Sequence, residues 1–75
     1  MYSIGDISGS IWNHLNISGR SQYKKVKDAV LSEFDNLPMK EQRFSMAVGW
    51  LAREDKLSFV EEGKGRRYRL YLELK

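Results

Sequence analysis

The side chains of this sequence that could do chemistry are few and far apart. His14 is the sole histidine and the chain has no cysteine, so the usual nitrogen and sulfur ligands of a zinc site are missing. Glu61 and Glu62 are adjacent, and on a strand they would point to opposite faces instead of forming a carboxylate pair. We therefore expect no enzyme, no metal site and no cofactor. A serine nucleophile needs a neighbouring general base, and the sequence positions none beside Ser18, Ser21 or Ser45.

The clearest charged feature lies between Lys56 and Arg69. This stretch holds five cationic and two anionic residues, an excess equal to the net charge of +3 of the whole chain. Cations at the tip of a hairpin can reach phosphates or a minor groove. Equally, cations protect the edge of a sheet from pairing with other strands. The residues predicted here to contact nucleic acid are Lys64, Arg66 and Arg67, supported by Lys24 and Lys25.

A helical pattern around residues 44–56 predicts a core face and two kinds of outward side chain. The predicted core face consists of Phe44, Ala47, Val48 and Leu51, which recur at steps of three and four residues. The outward polar residues Gln42, Arg43 and Ser45 could contact base edges or phosphates. Methionine and tryptophan are favoured at protein interfaces, and an exposed apolar patch is otherwise a liability. This favours a protein contact through Met46, Gly49 and Trp50. The alternative for Trp50 is to fold back beneath the hairpin as part of the core.

The first helix carries two glycines at helical spacing, Gly5 and Gly9, with Trp12 beside them. Each glycine costs a helix interior about 1 kcal/mol relative to alanine. Two glycines four residues apart leave a shallow groove, which either another segment of the chain or a second subunit can fill. Because a core of this size is marginal and soluble oligomers are most often twofold, we expect a homodimer. Its predicted contacts are Gly5, Gly9, Trp12, Met46, Gly49 and Trp50.

The elements that must position these residues follow from the periodicity of the apolar residues. Ser3 and Asp6 are expected to cap the first helix, and Ser21 the second. Ile17 is a candidate for a short extra strand. Gly63, Lys64 and Gly65 are expected to form the hairpin loop. The expected elements are helices over residues 4–15 and 22–33, a helix that begins between residues 38 and 41 and ends near residue 54, and strands over residues 57–62 and 66–74.

The length and composition set the scale of the molecule. Seventy-five residues are enough for one domain, spanning 1–75, with one small core. The start of the sequence lacks a basic segment followed by an apolar run, and no apolar run is long enough to cross a membrane. A cytoplasmic location is the default expectation.

The run Gly49-Trp50-Leu51-Ala52-Arg53-Glu54-Asp55, together with Ile11-Trp12, resembles a family of small bacterial winged helix-turn-helix proteins long catalogued as a domain of unknown function. The resemblance covers nearly the whole chain. It implies an α+β fold of three helices followed by a β-hairpin wing. This sequence has Pro38-Met39-Lys40 where such proteins carry a capping serine or threonine, which leaves the start of the third helix open.

Two functions are consistent with these observations. In the first, the chain is a DNA-binding module of transcription regulation, in which the third helix and the basic wing contact double-stranded DNA. In the second, it is a homodimeric protein-interaction module on a winged-helix frame that does not bind DNA. The charge of the wing favours the first, and the face formed by Met46, Gly49 and Trp50 favours the second.

Overall fold

The computed structural model describes residues 3–75, which form three helices and three short strands. This arrangement confirms the predicted α+β fold, including the extra strand between the first two helices. In chain order the elements are α1 (Ile4–Ser18), β1 (Ser21–Gln22), α2 (Tyr23–Leu31), α3 (Lys40–Arg53), β2 (Leu57–Glu62), a 3-10 turn (Gly65–Arg67) and β3 (Arg69–Leu74).

The start of α1 is fixed by a reciprocal pair of hydrogen bonds. The backbone N–H of Asp6 donates to the Ser3 hydroxyl at 3.1 Å, and the backbone N–H of Ser3 donates to the Asp6 carboxylate at 2.9 Å. This is the capping box that the sequence predicts, and it satisfies donors that a helix end leaves unpaired. The helix continues to Ser18, three residues beyond the predicted end.

The three strands form one antiparallel sheet in the order β1-β3-β2. The hairpin of β2 and β3 pairs along its full length, from Leu57 opposite Leu74 to Glu62 opposite Arg69. The short strand β1 adds Ser21 opposite Leu72 on the other side of β3. Since directly paired residues share a face, the buried Leu57 and Leu72 turn one face of the sheet towards the helices.

The core lies between this sheet face and the three helices. The predicted face of α3 is confirmed, because Phe44, Ala47, Val48 and Leu51 are all buried. The ring of Tyr23 meets that of Phe44 edge-on, with centroids 5.3 Å apart. The remaining buried apolar residues are Ile7, Ile11, Leu15, Val26, Val30, Leu37, Leu57 and Leu72.

Two local predictions between α1 and α2 are wrong. Ile17 does not form the extra strand: it lies in the last turn of α1 with 84% of its surface exposed, and the strand begins four residues later. Ser21 does not cap α2, because its hydroxyl donates to the carbonyl of Gly19 at 2.9 Å and it belongs to β1. The residue that precedes α2 is Gln22, which makes no side-chain capping bond.

The connection between α2 and α3, residues 32–39, is longer than the predicted helix bounds leave for it. Helix α2 ends at Leu31, two residues early, and the chain then turns through backbone bonds from Glu33 to Val30 and from Phe34 to Leu31. Leu37 is buried, which ties this connection to the core. Helix α3 begins at Lys40, within the predicted window, after Met39 adopts a left-handed conformation with φ 52°. Residues other than glycine, asparagine and aspartate seldom occupy this region, because the side chain crowds the backbone.

Candidate nucleic-acid and protein interfaces

The tip of the hairpin, residues 63–68, is a structured turn. The predicted three-residue loop is longer in the structure, because Gly65–Arg67 forms a 3-10 turn before β3 begins at Arg69. Gly63 has φ 81°, and a Cβ added there would overlap the carbonyl of Arg67. A second contact closes the turn: Nη1 of Arg69 donates to the carbonyl oxygens of Arg66 at 3.2 Å and Tyr68 at 2.8 Å. The tip therefore holds its backbone in one shape.

Three cations project from this tip with their charge unopposed. Lys64, Arg66 and Arg67 are exposed, and within residues 3–75 they form no ion pair. By contrast, Arg20 bridges Glu62, the last residue of β2, and Glu73 near the end of β3, each at 3.3 Å. The charge predicted for the wing is thus concentrated at its end, where an anion can reach it.

The side chain of Tyr68 also stabilises the tip. Its hydroxyl donates to Oε1 of Glu61 at 2.9 Å, across the hairpin. This hydrogen bond raises the pKa of the Tyr68 hydroxyl, because loss of the proton would place two negative charges side by side. The hydroxyl therefore keeps the proton that it donates throughout the neutral range.

The outer surface of α3 is poorer in polar groups than a base-reading helix requires. Gln42, Met46, Gly49 and Arg53 follow at helical spacing and form its outermost line, all of them exposed. Ser45 lies to one side of this line, where its hydroxyl is 3.3 Å from that of Tyr23 on α2. The line therefore offers one amide and one guanidinium, separated by a methionine and a glycine.

Lys24 and Lys25 point to different sides of α2, since adjacent helix residues are about 100° apart. Nζ of Lys27 donates to Oε1 of Glu41 on α3 at 3.1 Å, which raises the pKa of the Lys27 ammonium. Lys24, three residues before it on the helix, shares this α3 side. Lys25 instead lines a hollow beside α1 with His14, Ser18 and Arg20. The two lysines predicted to support the wing therefore have different neighbours, with Lys24 near the Lys27–Glu41 pair and Lys25 beside α1.

One groove brings together Gly5, Gly9 and Trp12 of the first predicted apolar surface and Trp50 of the second. A groove of about 460 Å³ runs between α1 and α3. Trp12 and Trp50 both line it and are 41% and 44% exposed, so Trp50 does not pack into the core beneath the hairpin. Nζ of Lys56 lies 5.6 Å from the centre of the Trp50 ring. The lining residues are Gly5, Ser8, Gly9, Trp12, Asn13, Trp50, Leu51 and Lys56.

The glycines around this groove have room for side chains. Among the described residues, a Cβ added at Gly9 or at Gly49 would meet no atom within 4 Å, and one at Gly5 would make an ordinary contact at 3.5 Å with the Ser3 hydroxyl. Packing of the described chain therefore gives no reason for glycine at these helical positions. Gly49 and Met46 lie on the outer line of α3, outside the residues that line the groove.

Sequence reasoning missed several residues that matter here. Arg69 was counted as one more wing cation, yet it acts on the backbone of the tip, a role that depends on the 3-10 turn. Two cations of α3 that form no ion pair among the described residues were not assigned to nucleic acid: Arg53 on the outer line and Lys40 at the start of the helix. Phe59 is 48% exposed on the helix-facing side of β2. The signal for Lys40 and Arg53 was in the sequence, since both are cations near the ends of the third helix.

Two searches of residues 3–75 bear on metals and membranes. No three histidine, aspartate or glutamate side chains in this part of the chain come close enough together to hold a metal ion. No helix formed by these residues has the length and apolar character needed to cross a membrane.

Comparison with known proteins identifies the family. The order of elements, helix-strand-helix-helix and then a hairpin, is that of a winged helix with β1 as its third strand. The chain matches no curated protein and no solved structure. The family model described as "Winged helix-turn-helix domain (DUF2582)" matches residues 1–71. The chain therefore belongs to this winged helix-turn-helix domain family, as the resemblance of its Gly49–Asp55 run implied.

Proposed function

We propose that this protein binds double-stranded DNA, chiefly through its phosphates, with the wing tip as the main contact and α3 beside it. The observation that carries the proposal is the wing tip, where Lys64, Arg66 and Arg67 project without ion-pair partners from a backbone held by Gly63 and Arg69. A contact whose shape is fixed before binding loses less entropy when the complex forms. Membership of a winged helix-turn-helix family supports DNA binding and a non-enzymatic role.

The distribution of the other cations supports the same surface. Arg53 stands on the outer line of α3, and Lys24 is one helical turn from Lys27, which pairs with Glu41 of α3. Lys40 is exposed at the start of α3, beside the connection from α2. Gln42 and Ser45 supply hydrogen bonds, and Arg43 is half-buried on the flank of α3 that faces α1. With so few groups able to bond base edges, most of the affinity is expected to come from phosphates and to depend on salt.

A titration of mixed-sequence duplex DNA, followed by fluorescence anisotropy at several salt concentrations, tests this proposal. Each phosphate contact contributes about 0.9 to the slope of log K against log salt. The double variant Lys64→Ala/Arg66→Ala should bind more weakly than the wild type and show a slope smaller by about two contacts. A double variant with unchanged affinity and slope would remove the wing from the interface.

Lys25→Ala provides the matched control. It also deletes one free lysine, but one that lines the hollow beside α1. Its affinity and salt slope should equal those of the wild type, whereas Lys24→Ala should lower both slightly. Wild-type protein that does not bind duplex DNA even at low salt would contradict the proposed function as a whole.

A second candidate function is protein interaction through the α1–α3 groove, as a homodimer. The observation that favours it is the pair of half-exposed tryptophans beside glycines that the described chain does not require. The two functions are compatible, because the groove lies on the α1 side of α3 while Gln42 and Arg53 lie on its outer line. A twofold dimer would then carry two wings, one on each copy.

A further inference from the structure

We infer that the groove is filled by a second copy of this chain, with α1 packed antiparallel against α1 of the copy. This inference rests on the second candidate function and is independent of DNA binding. It names the occupant of the groove and the helix through which the occupant enters.

The charge distribution of α1 is the first argument. Over its 15 residues, Ile4–Ser18, the helix contains no lysine or arginine and a single acidic residue, Asp6. The shorter α2 carries four charged residues, and α3 carries four as well. Much of α1 is nevertheless exposed, including Trp12, Asn13, Asn16 and Ile17. An exposed helix surface with so little charge is typical of a protein interface, whose centre is depleted of charged residues.

The spacing of small and large residues along α1 is the second argument. Gly5, Gly9, Trp12 and Asn16 follow at helical spacing, so the first half of this face is bare and the second half is bulky. An antiparallel copy brings the second half of one helix over the first half of the other. Trp12 and Asn16 of each copy then cover Gly9 and Gly5 of its partner. In a twofold contact each such pairing occurs twice.

Charge complementarity gives a third argument for a copy of this chain. Lys56 is the sole charged residue that lines the groove, and among the described residues it forms no ion pair. Asp6 is exposed in the first turn of α1, so a copy that docks by α1 brings a carboxylate to the same surface. A small anionic aromatic molecule would also suit two indole rings and an ammonium, but it would not explain the scarcity of charge along the exposed surface of α1.

Gly9→Gln is the decisive variant. Since a Cβ at Gly9 meets no described atom within 4 Å, the folded monomer should tolerate the change, and the helix should gain propensity. The new side chain would stand where the backbone of the partner approaches. Sedimentation equilibrium should show a wild-type dimer that Gly9→Gln weakens by tenfold or more, an effect of about 1.4 kcal/mol. Gly49→Gln is the matched control, because Gly49 is equally open but lies outside the groove, and it should leave the dimer unchanged.

A second variant tests the same contact independently, in case Gly9→Gln impairs folding. Asn13→Lys changes an exposed residue and would bring two ammonium groups into the uncharged centre of the contact. It too should weaken the dimer, and more so at low salt. A wild type that stays monomeric at high micromolar concentration would overturn the inference. A dimer unaffected by both Gly9→Gln and Asn13→Lys would show that the copies meet through another surface.

Discussion

The wing tip and the α1–α3 groove are built on opposite principles. The tip is small, cationic and closed by its own backbone, with Gly63 against Arg67 and Arg69 bonded to two carbonyls. The groove is larger, nearly uncharged and bordered by two tryptophans that the described chain leaves half-exposed. The first suits a charged partner whose affinity depends on salt. The second suits an apolar partner whose affinity depends on shape.

The structure also removes a conflict between DNA binding and self-association that the sequence suggests. If Met46, Gly49 and Trp50 formed one interface, that contact would block the outer face of the third helix. In the structure, Trp50 turns towards α1 while Met46 and Gly49 stay on the outer line. One helix can therefore contribute to both surfaces, since residues one position apart point in directions about 100° apart.

The largest expected effect concerns the hydrophobic core, which supports both the wing tip and the groove. Leu51 is 2% exposed, packs in the core and forms part of the groove lining. Leu51→Ala should lower the free energy of unfolding by about 2–5 kcal/mol, because it leaves a cavity between α1 and α3. Thermal and urea unfolding measure this change. A melting temperature close to that of the wild type would mean that Leu51 is less tightly packed than the structure shows.

A smaller effect separates the tip from the groove. Gly63→Ala should cost about 1–3 kcal/mol of local strain, because its φ is positive and its Cβ would overlap the Arg67 carbonyl. DNA affinity should fall with it while self-association stays the same. Gly65→Ala is the matched control: its φ of 57° is also unfavourable, but its Cβ would meet no described atom within 4 Å. Equal losses of DNA affinity in the two variants would show that the close approach at Gly63 has no special role.

The smallest expected effect concerns the pH response of the tip. The pKa of Tyr68 is raised in the folded protein by its bond to Glu61, so the contribution of this bond is fully present below the ordinary tyrosine pKa. It is lost as the pH rises through the raised pKa. The free energy of unfolding of Tyr68→Phe should therefore be slightly lower than that of the wild type at neutral pH. This difference should shrink in strongly alkaline solution. A difference that grows with pH would contradict the assignment of this bond.

Local patterns determined most of the fold. The apolar spacing of Phe44, Ala47, Val48 and Leu51 fixed the buried face of α3, because helical geometry alone sets which residues share a side. The capping box of α1 and the alternation along β3 are local in the same way. The charge of the wing could also be predicted, since the cations are close together in the sequence.

Contacts between distant parts of the chain decided the rest. Ile17 and Ser21 were misplaced because a short edge strand depends on where β3 lies, about fifty residues later. Lys24 and Lys25 are neighbours in sequence, yet packing of α2 against α1 and α3 decides what each one faces, with Lys25 beside α1 and Lys24 beside the Lys27–Glu41 pair. The groove exists because α1 and α3 pack together, which brings Trp50 beside Gly5 and Gly9. Sequence periodicity gives the face on which a residue lies, but only tertiary packing decides which faces meet.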